Sequence, residues 1–310
     1  MYSTKNENLS NTQKRGPGRP RQKNIDIEKV KKIGIDTVPH FPENIVEFSY
    51  ALPKNIKGIF NIFKLMQCRD IRFEFTPMNV TITAIGHSEQ NFINVVVDGM
   101  KLNRYYCKHP VNAIIARKNL DKITQKIDPS YSHIHIIIKE DSYRKNINII
   151  LNDENNKVNE YHVINIIEDI TENIDHIFSN LHYHNYPLNF RMNSKYFKKV
   201  IGDISKYSKE FAIEKREGII LKFPYSTNSD NVVGYNLFTD ASKFNIKSTL
   251  EPDDFILVSV NIEYITPLSN SLISDNINIY VDKENKMCFK CGIDDDIFEL
   301  TLCIEIINYR

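Results

Sequence analysis

Residues able to do covalent or metal chemistry are sparse in this chain and do not assemble into a known pattern. Cys288 and Cys291 have the spacing of a metal knuckle, but no second pair follows, and a structural zinc site needs four ligands. Cysteines so placed are more often strand or core residues. His133 and His135 fall on one face of a strand, as do His182 and His184 if that stretch is extended. Ordinary surface histidines account for both pairs. Asp294, Asp295 and Asp296 could attract a divalent ion, although an acidic hairpin turn is the commoner meaning of such a run. There is no phosphate-binding glycine loop, no paired zinc set and no nucleophile elbow. The expectation is a protein that is not an enzyme, with no catalytic residue, metal or cofactor.

What recurs instead is cationic spacing. Lys118, Lys122 and Lys126 lie at i, i+4 and i+8, opposite Leu120, Ile123 and Ile127, which is one basic and one apolar face of a helix over 116–127. Over 193–207, Lys195, Lys198, Lys199 and Lys206 share a side with Gly202, while Phe197, Val200, Ile201 and Ile204 share the other. Over 55–68, Lys57 and Lys64 oppose Ile59, Ile62, Phe63 and Met66. Lysine on one helix is an ordinary solvated face. Three such helices point to charge contact with phosphate, for which the compact lysine ammonium suffices and no base is read. A fourth helical stretch, 262–273, holds Glu263 and no cation.

Composition places these helices in a soluble protein. The 310 residues are 41% hydrophobic and 25% charged, and no run of about 18 apolar residues suggests a membrane span. The basic start of the chain has no apolar core of a secretory signal. Five scattered cysteines fit a reducing, intracellular compartment. The formal charge of +1 hides a division: residues 1–33 carry a net +6 and residues 34–310 a net −5. An acidic body that binds DNA must gather its cations on one face.

Residues 1–42 are polar and lack periodicity, which predicts a disordered basic tail. Within it, Arg15, Gly18, Arg19, Pro20 and Arg21 resemble an AT-hook. Proline keeps the chain extended, glycine permits close approach, and arginines suit the narrow A·T minor groove. A nuclear-import signal or a generic basic tail is the alternative.

The remaining chain alternates in many short runs: 73–85, 92–97, 133–138, 146–151, 161–167, 218–223, 232–238, 255–260, 276–281 and 298–306. Short alternating runs predict antiparallel sheets. The order repeats, since helix 55–68 leads into Met78–Ile82 much as helix 193–207 leads into Glu217–Leu221, and Asn146–Leu151 is echoed by Asn276–Val281. The expected class is α+β, built by duplication.

This order, with basic helices at matching places in two halves, is similar to the PCNA-type DNA sliding clamps. Asn193–Ser205 resembles the first helix of a clamp's second domain, and Glu160–Ile167 resembles the last strand before its connector. Over Arg15–Pro20, Glu47–Tyr50 and Asn185–Leu188 the chain resembles the clamp-like proteins of large DNA viruses such as African swine fever virus. The resemblance spans about residues 45–307.

It implies a disordered tail over 1–42, clamp domains over 43–167 and 187–310, and a connector over 168–186. Sheets would lie outside and helices inside a homotrimeric ring around double-stranded DNA, serving as the processivity factor of a viral replicative DNA polymerase. Subunits would join through strand 160–167 of one and about 232–240 of the next. A partner peptide would dock near Ile85, Gly86, His87, Cys303 and Ile304. The site of action would be a viral replication site in the cytoplasm or nucleus of the host, with no membrane partner. The family's arginine is replaced by Gly202, and the usual proline near the peptide pocket is replaced around Lys286. A clamp-fold late transcription factor and an AT-rich architectural DNA-binding protein remain as alternatives.

Overall fold

The computed structural model describes residues 41–87, 91–140, 146–155, 157–167, 183–216, 220–226, 233–238, 245–251, 254–270, 274–282 and 286–307. The AT-hook-like segment and most of the expected connector, residues 168–182, lie outside the described residues.

The first half runs β1 (Asn44–Tyr50), α1 (Pro53–Leu65), β2 (Asp70–Phe75), β3 (Asn79–Ile85), β4 (Asn91–Asp98), β5 (Arg104–Cys107), β6 (Val111–Ala116), α2 (Arg117–Lys126), β7 (His133–Lys139), β8 (Asn146–Asp153) and β9 (Val158–Asn165). The second repeats the order: β10 (Leu188–Asn193), α3 (Ser194–Ile204), β11 (Glu210–Arg216), β12 (Ile220–Ser226), β13 (Val233–Phe238), β14 (Asn245–Ser248), β15 (Ile256–Asn261), α4 (Ile262–Asn270), β16 (Asn276–Val281), β17 (Lys286–Ile293) and β18 (Phe298–Glu305).

Local chemistry sets the element ends. Pro53 starts α1 at a position where its missing N–H costs nothing. The helix stops where Gln67 turns left-handed at φ 54° and the Cys68 amide donates to the Phe63 carbonyl at 3.1 Å, closing the last turn as a Schellman motif. The helical period of 55–68 therefore overran the helix end. Asn193 caps α3 by accepting from the Lys195 amide at 3.0 Å. The single alternating run 73–85 is two strands, β2 and β3, because Thr76 turns the chain, its hydroxyl accepting from the Asn79 amide at 3.1 Å.

Among the described residues all strand pairs are antiparallel and form three sheets, in the orders β5-β1-β7-β8-β9, β14-β10-β16-β17-β18-β4-β3-β2-β6 and β13-β12-β11-β15. The pairings repeat with the elements. β1 lies between β5 and β7 as β10 lies between β14 and β16, and β2 lies between β3 and β6 as β11 lies between β12 and β15. The repeat is broken at one place. β18 continues onto β4, from Phe298 opposite Val97 to Ile304 opposite Asn91. Their counterparts, β9 and β13, each end a sheet among the described residues.

The apolar faces of strands and helices meet in one core that includes Ile59, Phe63 and Ile123 of the first half and Phe197, Val200 and Ile265 of the second. Helix α1 packs on α2, α3 packs on α4, and α1 also meets α4. Among the described residues these four α-helices form one layer, anchored on strands that include β6, β9, β10, β11, β15 and β16.

Candidate nucleic-acid interface

The helix layer turns its apolar side to the sheets, so its other side is the surface on which the predicted cations lie. Lys64 on α1, Lys118 and Lys122 on α2, and Lys195, Lys198 and Lys199 on α3 are all exposed. Lys126 and Lys206 are exposed as well but are engaged within the chain. Lys206 pairs with Asp203 at 3.0 Å. Lys126 pairs with Glu160 on β9, which also accepts from the Tyr131 hydroxyl at 2.8 Å. These donors, Lys126 first, hold the Glu160 carboxyl below its usual range.

Lys57 departs from the free-cation pattern. It is half-buried, and its ammonium donates to the Ile127 carbonyl at 2.5 Å, at the end of α2. A cation there satisfies an orphan carbonyl and the negative end of the helix dipole. It ties α1 to α2. Sequence periodicity placed Lys57 on the right face but could not see a neighbouring helix end. It also passed over Lys54 at the start of α1 and Lys209 beyond α3, both exposed.

Gly202 sits on the exposed side of α3, and a Cβ built there would meet no atom within 4 Å. Neither packing nor backbone conformation demands glycine at this position. On α4, Glu263 is exposed and the helix contributes no cation, so the basic character of the layer rests on α1, α2 and α3.

The residues expected by resemblance to form a peptide pocket lie at one end of the nine-stranded sheet. A small apolar cluster there joins Phe92, Tyr186, Cys288 and Cys303, with Ile85, Tyr183 and Tyr280 against it. Gly86 is buried, its amide donating to the Asn91 carbonyl at 2.9 Å, and its missing Cβ leaves room for Asn91 and the Met66 carbonyl. His87 is exposed. Cys303 faces this cluster, whereas Ile304, the next residue along the strand, points into the main core. Around the cluster, Lys286 lies 4.7 Å over the Phe92 ring and Lys290 lies 5.8 Å from the Tyr183 ring.

The chemically suggestive residues fall apart in three dimensions. Cys288 and Cys291 lie three apart on β17, so their side chains leave opposite faces: Cys288 joins the small cluster and Cys291 the main core. Both are buried strand residues, as expected for isolated cysteines, and Cys288 sits opposite Cys303 on β18. Asp294, Asp295 and Asp296 form the β17–β18 turn, all at positive φ. His133 and His135 stack with ring centroids 6.0 Å apart. Burial first, and the neighbouring His133 second, push the His135 imidazole down to about 4. No group of metal-ligating side chains occurs among the described residues.

No family model matches the chain. It is 27% identical over 290 residues to an uncharacterized protein from a South African tick isolate of African swine fever virus, covering 92% of this chain and 96% of that protein. The protein of the same name in a Kenyan pig isolate is 26% identical over an equal span. In three dimensions the chain is similar to the crystal structure of proliferating cellular nuclear antigen from Entamoeba histolytica, with a TM-score of 0.70 at 11% identity over 86% of this chain and 100% of that one. The architecture is that of a PCNA-like clamp.

Proposed function

We propose that the chain is a sliding clamp: three copies close into a ring that encircles duplex DNA and tethers a viral replicative polymerase to its template. The observation that carries this reading is the break in the repeat. Within one chain, the last strand of the second half pairs with the third strand after the first helix, β18 with β4. Among the described residues, the corresponding strands β9 and β13 have no sheet neighbour on their outer sides. Pairing β9 of one copy with β13 of the next repeats the internal junction between chains. Such a head-to-tail contact generates a ring when its rotation closes, and it removes exposed sheet edges.

The surface of β9 fits that role. Tyr161 and Val163 are 67% and 64% exposed, side by side on one face of the strand. Exposed apolar side chains on an unpaired edge favour strand addition. In a ring, the layer of α1–α4 would line the hole. Its lysines would then touch phosphates as point charges, holding DNA without fixing a sequence.

Partner proteins would dock short peptides at the Ile85–Cys303 end of the nine-stranded sheet, and the basic tail would add A·T-rich minor-groove contact. The site of action would be where the virus copies its DNA. Among the described residues no helix is long and apolar enough to cross a membrane. The test is synthesis by the cognate polymerase on a long, singly primed template, with and without the chain. Longer products per binding event support the clamp reading, and an unchanged length distribution opposes it.

A further inference from the structure

Cys288 and Cys303 stand directly opposite each other on β17 and β18. Both are wholly buried, both are free thiols, and their sulfurs lie 2.7 Å apart. We propose that they form a disulfide-competent dithiol, a redox modification site lying beneath the aromatic rings of Tyr186 and Phe92.

The backbone already meets the requirement. Residues directly opposed in an antiparallel ladder have Cα atoms about 4.5–5.5 Å apart, and disulfides span about 4.4–6.8 Å. Closing the bond needs side-chain rotation and no shift of strand register. The other three cysteines have no such arrangement: Cys68 and Cys291 belong to the main core, and Cys107 lies at the first half's β5.

The cover explains why the pair can persist as thiols. Phe92 lies opposite Cys303 in the β18–β4 ladder, and Tyr186 packs with Phe92, Cys288 and Cys303 in one small buried cluster. Tyr186 and Phe92 are themselves 8% and 5% exposed. The contact with Cys288 first, and burial second, hold the Cys303 thiol well above its ordinary range. Thiol exchange proceeds through the thiolate, so reaction is slow until the cover opens.

The oxidant is a small-molecule disulfide such as glutathione disulfide. One cysteine, as thiolate, attacks a sulfur of glutathione disulfide, breaking its S–S bond, forming a mixed disulfide and releasing one glutathione thiolate. The second cysteine, after losing its proton, attacks the mixed disulfide and releases the second glutathione. Two electrons pass from the protein to the oxidant, and the two protons leave on the glutathione thiols. The product pins β17 to β18 beside the aromatic cluster.

The test uses the full folded chain in glutathione buffers of rising oxidation, followed by alkylation of free thiols, digestion and mass spectrometry. The expected product is a Cys288–Cys303 linked peptide, two hydrogens lighter than its reduced parts, with Cys68, Cys107 and Cys291 recovered alkylated. Tyr186→Ala should speed closure, because it uncovers the sulfurs, without changing which pair forms. Recovery of Cys288 and Cys303 as separate alkylated thiols, or as glutathione adducts, in the most oxidising buffer would overturn the proposal. An unchanged rate in a folded Tyr186→Ala variant would overturn the role of the cover. If that variant does not fold, the parent series alone decides. The inference stands apart from the clamp reading, since it needs neither DNA nor a second subunit.

Discussion

The hydroxyl of Tyr50, on the first strand, donates to the Asp294 carboxylate at 2.5 Å, in the last hairpin of the chain. Asn55 donates to the same hydroxyl at 2.8 Å, and the Tyr50 ring meets Phe298 edge-on with centroids 4.8 Å apart. Burial first, then Asp294, holds the phenol far above its ordinary range, so it remains a neutral donor. This contact fastens the second half to the first beyond the β18–β4 ladder. Tyr50→Phe keeps the ring and removes the donor. It should lower unfolding free energy by about 1.5–3 kcal/mol, as for a hydrogen bond to a charged group. Urea denaturation reads the loss, and an unchanged midpoint would mean the lock contributes nothing.

At the proposed subunit edge, Tyr161→Asp with Val163→Asp places two carboxylates on the exposed face of β9. Ile164 is a poor target, being buried in the core. The double variant should move trimer to monomer while unfolding stability changes by less than about 0.5 kcal/mol per exposed site. Sedimentation velocity beside thermal unfolding separates the two effects. A folded, undiminished trimer would place the interface elsewhere.

On the helix layer, Lys118, Lys122, Lys198 and Lys199 changed together to Ala should weaken duplex binding equally on A·T-rich and G·C-rich DNA. The slope of log affinity against log salt should flatten by at most about 0.9 for each phosphate that is no longer neutralised. Removing residues 1–33 first isolates this effect from the tail. Unaltered slope and affinity would return these lysines to the role of solvated surface.

Gly202→Arg asks the opposite question. Open space surrounds the new side chain. Replacing a mid-helix glycine should stabilise the fold by roughly 0.5–1 kcal/mol, and an added cation should steepen the salt slope. Greater stability with unchanged DNA affinity would mean that this side of α3 does not face DNA.

The His135 imidazole titrates near 4 in the fold and near 6.5 when unfolded. Its folded value is depressed, so its contribution is fully present above about pH 6.5 and is lost as pH falls toward 4. The loss reaches at most about 3 kcal/mol. His135→Gln should flatten stability against pH across that window, measured by denaturant midpoints. An equally steep decline in the variant would assign the acid sensitivity to other groups.

How much of this was legible in sequence depended on range. Lys118, Lys122 and Lys126 announced α2 because helical spacing is a local property. Strand β1 alternates over Val46–Tyr50, yet the alternation does not mark a solvated face, because Glu47 and Ser49 are buried along with Val46, Phe48 and Tyr50. Glu47 is covered in part by Arg104, 57 residues away, which contacts it at 2.6 Å. Strand β5, at four residues, is too short to show a period. The capture of Lys57 by Ile127, the pairing of Lys126 with Glu160 and the opposition of Cys288 to Cys303 each needed the fold. No spacing rule along the chain encodes them.

Ring assembly is tested most directly by the native mass of the chain in solution across micromolar concentrations. A clamp closed through β9 and β13 gives a species of three chains, which the Tyr161→Asp, Val163→Asp variant reduces to one. A monomer at every concentration, or a dimer insensitive to Tyr161 and Val163, would contradict it.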